Sequence, residues 1–326
     1  MGASCSAPPY TLPDQSGRTV VVTGGNAGIG FAAAVLLLRK GTRVIVTTRD
    51  AAKGAAAVAA IEAAAAESAG DIASLGGAVV PGGSAAFEVL ELASLASVRA
   101  FAARAVAKEG AFANGIDCIV LNAGVMHPPF TLTTDGFELQ WQTNHLGGFL
   151  LVTSLLPVLR LSTRAPTVVP VGSIMANKGT VTAQSDFAAL FRPTEATYNA
   201  EAIYSDTKQA NYLFCAELHR QHGSWLRVVT AHPGVSATSL FRHSWYGKVD
   251  FMFQSAAAGA MLELRAATDA SLAGGSGVGT GERLSDTKWK GAPRPEEIPA
   301  HCCDADAAKA LWQASVKAVG LPRPRL

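Results

Sequence analysis

Short apolar runs alternate with longer segments of helical period along most of the chain. The strand-like runs are Thr19 to Thr23, Val44 to Thr48, Phe87 to Leu92, Ile116 to Leu121, Thr167 to Val171 and Arg227 to Ala231. Helix-like stretches lie between them, around Ile29 to Lys40, Ala51 to Glu67, Leu95 to Lys108, Thr134 to Leu161 and Ala202 to His222. Continuous apolar strands separated by helices suit a parallel sheet, whose two faces are both covered. Right-handed crossovers then predict an α/β fold with a doubly wound, Rossmann-type parallel sheet in three α/β/α layers. No internal repeat or linker divides the pattern, so a flexible tail over 1–16 and one domain over 17–326 are expected. Ser68 to Ala86, rich in Gly, Ala and Ser, reads as an inserted surface loop. Gly274 to Gly281 reads as a glycine-rich loop before a weak final strand. Pro170 sits awkwardly in a predicted central strand, because it removes a ladder donor.

Composition narrows the function classes. With 49% hydrophobic and 16% charged residues over 326 positions, disorder is excluded. A net charge of +2 leaves no electrostatic footprint for nucleic acid. No apolar run reaches membrane-spanning length: Leu146 to Leu159 contains Pro157 and is followed by Arg160, as in a buried helix. Cys5, Cys118, Cys215, Cys302 and Cys303 are odd in number and form no CxxC, and no His pair has zinc spacing. A reduced, intracellular, cytoplasmic protein without a structural metal is expected. His219 and His222 read as surface residues. Met1-Gly2-Ala3-Ser4-Cys5-Ser6 fits the myristoylation pattern, with Cys5 available for a second acyl chain. The two readings of this end are a plain flexible tail and a lipid anchor holding the protein at a membrane surface.

Candidate chemistry begins at the first strand–helix turn, Thr23-Gly24-Gly25-Asn26-Ala27-Gly28-Ile29-Gly30. Glycines let this backbone turn sharply and approach a pyrophosphate resting on the N–H groups of the helix N-terminus. The spacing is GxxxGxG rather than the GxGxxG of the best-known dinucleotide fingerprint. Arg49 lies nineteen residues beyond Gly30, at the end of the second strand. An acidic residue there would hold the ribose of NAD, whereas an Arg pairs the extra phosphate of NADP. Asp50 follows and reads as the cap of the next helix, so NADP(H) is preferred over NAD(H).

Tyr204-Ser205-Asp206-Thr207-Lys208 opens an amphipathic helix, and residues four apart share a face. Among the five tyrosines, only Tyr204 has a Lys four positions later. Free Tyr titrates near about 10, and bringing it to about 7 takes about 4 kcal/mol of differential stabilisation, for which a nearby ammonium is one source. Ser173, closing the fifth strand, points into the crevice at the carboxyl ends of the sheet and could polarise a carbonyl or cap a turn. Asn122-Ala123-Gly124 closes the fourth strand in the equivalent place. Asn144 lies mid-helix, where Asn is unfavourable unless a specific hydrogen bond or water holds it.

Together these features resemble the classical short-chain dehydrogenase/reductase family. TGGNAGIG at 23–30, Arg49, NAG at 122–124, Asn144, Ser173, YSDTK at 204–208 and HPG at 232–234 occur in the family's order, over about Gly17 to Thr238. The resemblance implies a tetrad of Asn144, Ser173, Tyr204 and Lys208. Tyr204 would exchange a proton with the alcohol oxygen, and Lys208 would bind the nicotinamide ribose and lower the phenol pKa. Ser173 would position the carbonyl, and Asn144 would hold a relay water. Gly24, Asn26, Gly28, Ile29, Gly30, Arg49, Asn122, Ala123 and Gly124 would line the cofactor. Glu91 and Leu92 would flank the adenine, although the family more often has Asp at the first place. Pro233, Gly234, Val235 and Thr238 would meet the nicotinamide amide.

The chain looks most like the retinol-dehydrogenase branch, through DGFELQWQTNHLGGFLL at 135–151, TGERLSDTKW at 280–289 and the tail around Trp312. VGSIMANKGT at 171–180 also resembles light-dependent protochlorophyllide reductases, but Ala210 and Val235 stand where those enzymes carry cysteines. The wide spacing between Ser173 and Tyr204 requires a loop, Thr180 to Ala200, that either folds away or covers the site. Phe241, Trp245, Tyr246, Phe251 and Phe253 fall in an expected substrate loop at about 236–260. The implied reaction is hydride transfer between NADP(H) and an apolar carbonyl or alcohol of retinoid, steroid or lipid-aldehyde type, by a monomer or homodimer. The alternatives are an idle NADP(H)-binding regulatory or assembly protein and a pigment reductase.

Overall fold

The computed structural model describes residues 10–113, 115–234, 236, 254–279 and 293–322. Six parallel strands form the main sheet: β1 (Thr19–Thr23), β2 (Arg43–Thr48), β3 (Ser84–Val89), β4 (Cys118–Leu121), β5 (Thr167–Pro170) and β6 (Arg227–Val228). Their spatial order is β3-β2-β1-β4-β5-β6, so the chain winds outward from β1 to one edge, then crosses to the other. The two halves meet between β1 and β4, where the carboxyl ends open a crevice. A smaller sheet joins β7 (Thr230–Ala231), β8 (Gly277–Gly279) and β9 (Arg294–Glu296).

The helices are α1 (Gly28–Leu38), α2 (Ala51–Ala66), α3 (Asp71–Gly76), α4 (Leu95–Val106), α5 (Leu139–Trp141), α6 (Gly147–Leu159), α7 (Phe187–Phe191), α8 (Ala200–His222), α9 (Ala256–Thr268) and α10 (Ala305–Ala318). Apolar cores lie on both faces of the sheet, one including Phe101, Trp141, Phe149 and Phe214, the other Val35, Leu36, Val44 and Leu264. α1 is apolar on every side and packs against both α2 and α9. That is the composition of a helix enclosed by protein rather than lying at a surface.

Three local expectations shift. β3 runs from Ser84 to Val89 and pairs residue by residue with Arg43 to Thr48, three positions earlier than the apolar run suggests. Pairing with β2 outweighs the weak strand preference of Ser84-Ala85-Ala86, and Leu90 to Leu92 leave the sheet for the crevice. The segment Ser68 to Ala86 is therefore no plain loop. It holds α3 and the first half of β3, and the guanidinium of Arg39 donates to Ala65 O at 2.8 Å and Glu67 O at 2.7 Å just before it. The long helix expected from Thr134 begins only at Leu139, then passes through a π turn at Gln142–Leu146 before α6.

Pro170 ends β5, and the last strand is interrupted beside it. Thr167 and Val168 pair with Arg227 and Val228, and contact resumes only at Val171 with Ala231. The ring nitrogen has no hydrogen to give, which accounts for the gap between β6 and β7. Thr180 to Ala200 folds away from the crevice. Phe191 of α7 is buried against Trp141, with ring centroids 5.0 Å apart, and Tyr198 Oη donates to Pro128 O at 2.5 Å.

Candidate active site

A cavity of about 850 Å³ runs along the carboxyl ends of the strands, from Arg49 and Lys53 at one end to Tyr204 and Met175 at the other. Its wall begins at the glycine turn, where Gly24 and Gly28 have φ of +66° and +56°, a region in which side chains are strained. A Cβ on Gly30 would lie 2.4 Å from Asn122 Nδ2 and 2.7 Å from Gly24 O. Asn122 Nδ2 donates to Thr23 O at 2.7 Å, and Ala123 N–H donates to Thr23 Oγ1 at 3.0 Å, so the ends of β1 and β4 are stitched together. α1 starts at Ala27 without a side-chain cap, leaving its first N–H groups to an anionic partner. These residues fit a dinucleotide pyrophosphate.

At the β2 end, Asp50 caps α2 by accepting from Lys53 N at 2.9 Å. Arg49 is exposed (69% of its side chain), with Nε 3.7 Å from Glu91 Oε2. Glu91 also accepts Ala93 N–H at 2.9 Å, and Leu92 lines the cavity beside it. Lys53 joins Arg49 on the cavity wall. The sequence reading missed Lys53, which stands in the first turn of α2, four residues beyond Arg49.

α8 brings the reactive candidates together. Asn199 caps it by accepting Ala202 N–H at 3.0 Å, and His219, Arg220 and His222 occupy its last turn, where positive charge suits the dipole. Its inner face carries Tyr204, Lys208 and Asn211 at helical spacing. Lys208 Nζ and Asn211 Nδ2 both donate to Val171 O, at 3.1 and 3.0 Å. Ser173 caps the 3₁₀ turn Ile174–Lys178 by accepting from Met175 N at 3.2 Å, and it lines the cavity together with Tyr204. Ser173 therefore meets the turn-capping reading.

Asn144 sits in the π turn with its side chain almost fully engaged. Oδ1 accepts Val125 N–H at 2.8 Å, while Nδ2 donates to Val125 O at 2.9 Å and Thr207 Oγ1 at 3.1 Å. The amide has two hydrogens, so this side chain has no donor left for a water.

Burial dominates the electrostatics. Tyr204 is 4% exposed, and desolvation drives its phenol well above the ordinary range, only partly offset by the Ser173 hydrogen bond. Lys208 Nζ stands 5.6 Å from the ring centroid. In this arrangement burial is the largest influence on the phenol. Burial also lowers Lys208 to about 8, against the pull of Glu263. His127 has a left-handed φ of +51° and packs edge-on to Tyr204 with centroids 5.5 Å apart. Neither His127 nor Glu263 carries a sequence signal, because each reaches the cavity through tertiary packing alone.

Pro233 and Gly234 line the cavity, and Val235 and Thr238 lie outside the described residues, as do Gly2, Cys5, Phe241, Trp245, Tyr246, Phe251 and Phe253. Gly24, Asn26, Gly28, Ile29, Ala123, Gly124 and Ser173 also line the cavity. No cluster of potential metal ligands and no helix long and apolar enough to cross a membrane occurs among the described residues.

A family profile described as short chain dehydrogenase matches residues 18–189. The chain belongs to this family. Retinol dehydrogenase 14 from Mus musculus is 34% identical over 323 residues, covering 94% of this chain and 86% of its own. Retinol dehydrogenase 13 from Homo sapiens is 35% identical over 332 residues, covering 99% and 89% respectively. Among solved structures, an uncharacterised protein from Mycobacterium paratuberculosis superposes with a TM-score of 0.74 at 33% identity, over 97% of this chain and all 100% of that one. A short chain dehydrogenase from Burkholderia cenocepacia in complex with NADP shares the fold, with a TM-score of 0.58 at 22% identity over 81% of this chain and 96% of its own. The short-chain dehydrogenase described here is therefore an oxidoreductase of the CH–OH class, related to retinol dehydrogenases, that binds a nicotinamide cofactor and a small substrate.

Proposed function

We propose that this short-chain dehydrogenase uses NADP(H) to interconvert a lipophilic carbonyl compound and its alcohol, with Tyr204 as the proton-transfer group. The observation that carries the reading is the buried Tyr204, set with Ser173 and Lys208 on the wall of a cavity whose opposite end presents Arg49 and Lys53. NADPH, when bound, supplies the hydride. Arg49 and Lys53 hold its extra phosphate, since Asp50 is committed to capping α2 and leaves no carboxylate for a free ribose hydroxyl. The glycine turn and the uncapped start of α1 hold the pyrophosphate.

Ser173 donates to the substrate carbonyl oxygen and polarises it. Tyr204, kept protonated by burial, gives its phenolic proton to the same oxygen as the alcohol forms. Lys208 is anchored on Val171 O, with its charge beside the phenol as a proton is lost there. Asn144 acts through its side chain as a strut between Val125 and Thr207. Met126, Pro128, Leu139 and Met175 supply apolar wall beside Tyr204, which supports a retinoid-, steroid- or lipid-aldehyde-like body. The relationship to retinol dehydrogenases agrees with this class.

The test is a panel of aldehydes, ketones and alcohols assayed with both nicotinamide cofactors. Turnover of lipophilic members with NADP(H) is expected. Binding of NADPH without turnover of any member would instead make the protein an idle cofactor binder.

A further inference from the structure

Glu263 is the most anomalous ionisable residue near the cavity. It lies in the interior of α9, is 0% exposed, and neither carboxyl oxygen has a hydrogen-bond partner. Its neighbours in the helix, Met261, Leu262 and Leu264, are buried apolar side chains. A buried carboxyl without a partner is among the costliest arrangements in a protein, so its presence requires an explanation. Yet Glu263 lines the same cavity as Tyr204 and Lys208.

Among the described residues, the surroundings leave one charged neighbour. α1, packed against α9, contains no ionisable side chain, and neither do β5, β7 and β8. β4 offers only the buried thiol of Cys118, and Asp71 of α3 is exposed at the surface. Arg265 on α9 itself is engaged with Asp269 at 3.0 Å. Near Lys208 stand Tyr204 on its own helix and Gly124 after β4, beside Asn144, while Ser173 after β5 and the buried His232 after β7 line the same cavity. Lys208 is the charge that acts on Glu263, and Glu263 the charge that acts on Lys208.

We propose that Glu263 is a positioning residue acting through Lys208: its buried, unpartnered carboxyl on the wall of the active-site cavity is the counter-group to the lysine that lines the same cavity. This rests on the role given to Lys208 above. Burial lowers Lys208 to about 8 and raises Glu263 to about 8, each opposed by the other. Two interacting groups that titrate in one range share their protons, so neither has a pKa of its own. Removing Glu263 takes away the charge that favours the ammonium, and Lys208 then gives up its proton at lower pH.

The experiment compares wild type with Glu263→Gln, Glu263→Leu and Glu263→Asp. NADPH affinity is read by fluorescence from pH 6 to pH 10, beside the pH profile of carbonyl reduction. The alkaline midpoint of both curves is expected to fall by at least about half a pH unit in the Gln and Leu variants, about threefold in affinity on the alkaline limb, and to persist in the Asp variant. A purely structural role would scale affinity or activity equally at every pH. Unmoved midpoints in both Gln and Leu variants overturn the proposal.

A cofactor-free measurement separates this inference from the functional reading. Burial raises the Glu263 carboxyl from an ordinary 4.5 to about 8, so the folded pair holds an extra proton between those values. Wild-type stability in urea should lose a contribution as pH rises through that window, and Glu263→Gln should lack that loss. If wild type binds no NADPH, the functional reading fails and this arm alone decides the pairing. Identical pH slopes in wild type, Glu263→Gln and Lys208→Met would then refute it.

Discussion

Asn122 occupies the space that any side chain at position 30 would need. Its amide nitrogen would lie 2.4 Å from a Cβ on Gly30, and it is fixed there by donating to Thr23 O at 2.7 Å. Gly30→Ala must therefore displace either the Asn122 clamp or the turn itself. The expected result is a loss of about 1–3 kcal/mol of stability, in the range of other overpacked sites. NADPH binding should weaken at least about tenfold, which one displaced charge-assisted backbone contact suffices to produce. Calorimetric binding and urea denaturation of the variant check both.

Tyr204→Phe keeps the ring and removes the phenolic proton. Turnover should fall by about 10²–10⁴-fold, the usual contribution of a positioned acid or base, while NADPH affinity stays within about a factor of three. Steady-state kinetics beside a fluorescence titration distinguishes the two effects. Substantial turnover in this variant would remove Tyr204 from the mechanism.

Arg49 and Lys53 converge on the cavity wall from the end of β2 and the first turn of α2. Arg49→Asp should reverse the preference between cofactors by about 10–100-fold, since it replaces a phosphate donor with a repelling charge. Lys53→Ala should weaken NADPH by a smaller factor and leave NADH almost unchanged. Measuring kcat/KM with each cofactor tests both expectations, and an unaltered ratio would exclude a phosphate site here.

His145 is sealed in the π turn, with Nε2 2.9 Å from Ser315 Oγ, and burial lowers its pKa to about 3. Its folded pKa lies below the ordinary value of 6.5, so between these limits only the unfolded chain binds the proton. Its contribution to stability is thus complete above pH 6.5 and lost as pH falls toward about 3, by about 1.4 kcal/mol per pH unit at most. His145→Gln should flatten that part of the acid limb. Urea midpoints at several pH values, compared with wild type, measure the difference.

Phe191 anchors the segment between Ser173 and Tyr204 by packing on Phe137 and Trp141. Phe191→Ala should cost about 3–5 kcal/mol, as other buried aromatic truncations do. NADPH affinity of the folded fraction should remain near that of wild type. A large loss of affinity without loss of stability would place this segment over the site rather than away from it.

Much of this architecture was legible because its cause is local. The glycine turn, the Asp50 cap and the Tyr204–Lys208 spacing each follow from a few neighbouring residues. The strand order also followed, because alternating apolar strands and helices leave few ways to wind. β3 was misplaced by three residues because its start, Ser84-Ala85-Ala86, is a strand only by virtue of pairing with β2. Glu263 and His127 were invisible for a related reason: nothing in their own segments announces that α9 or the loop after β4 will carry them to Tyr204. The burial of Tyr204 was not legible either, because sequence reveals a nearby lysine but not the depth at which the phenol sits.

Asn144 has a mechanical consequence beyond its chemistry. By holding both backbone groups of Val125 and the hydroxyl of Thr207, it rivets the loop after β4 to the helix that bears Tyr204 and Lys208. Cofactor pressing on Asn122, Ala123 and Gly124 would therefore push on the proton donor as part of the same rigid body. This one amide joins the cofactor side of the cavity to its proton-transfer side.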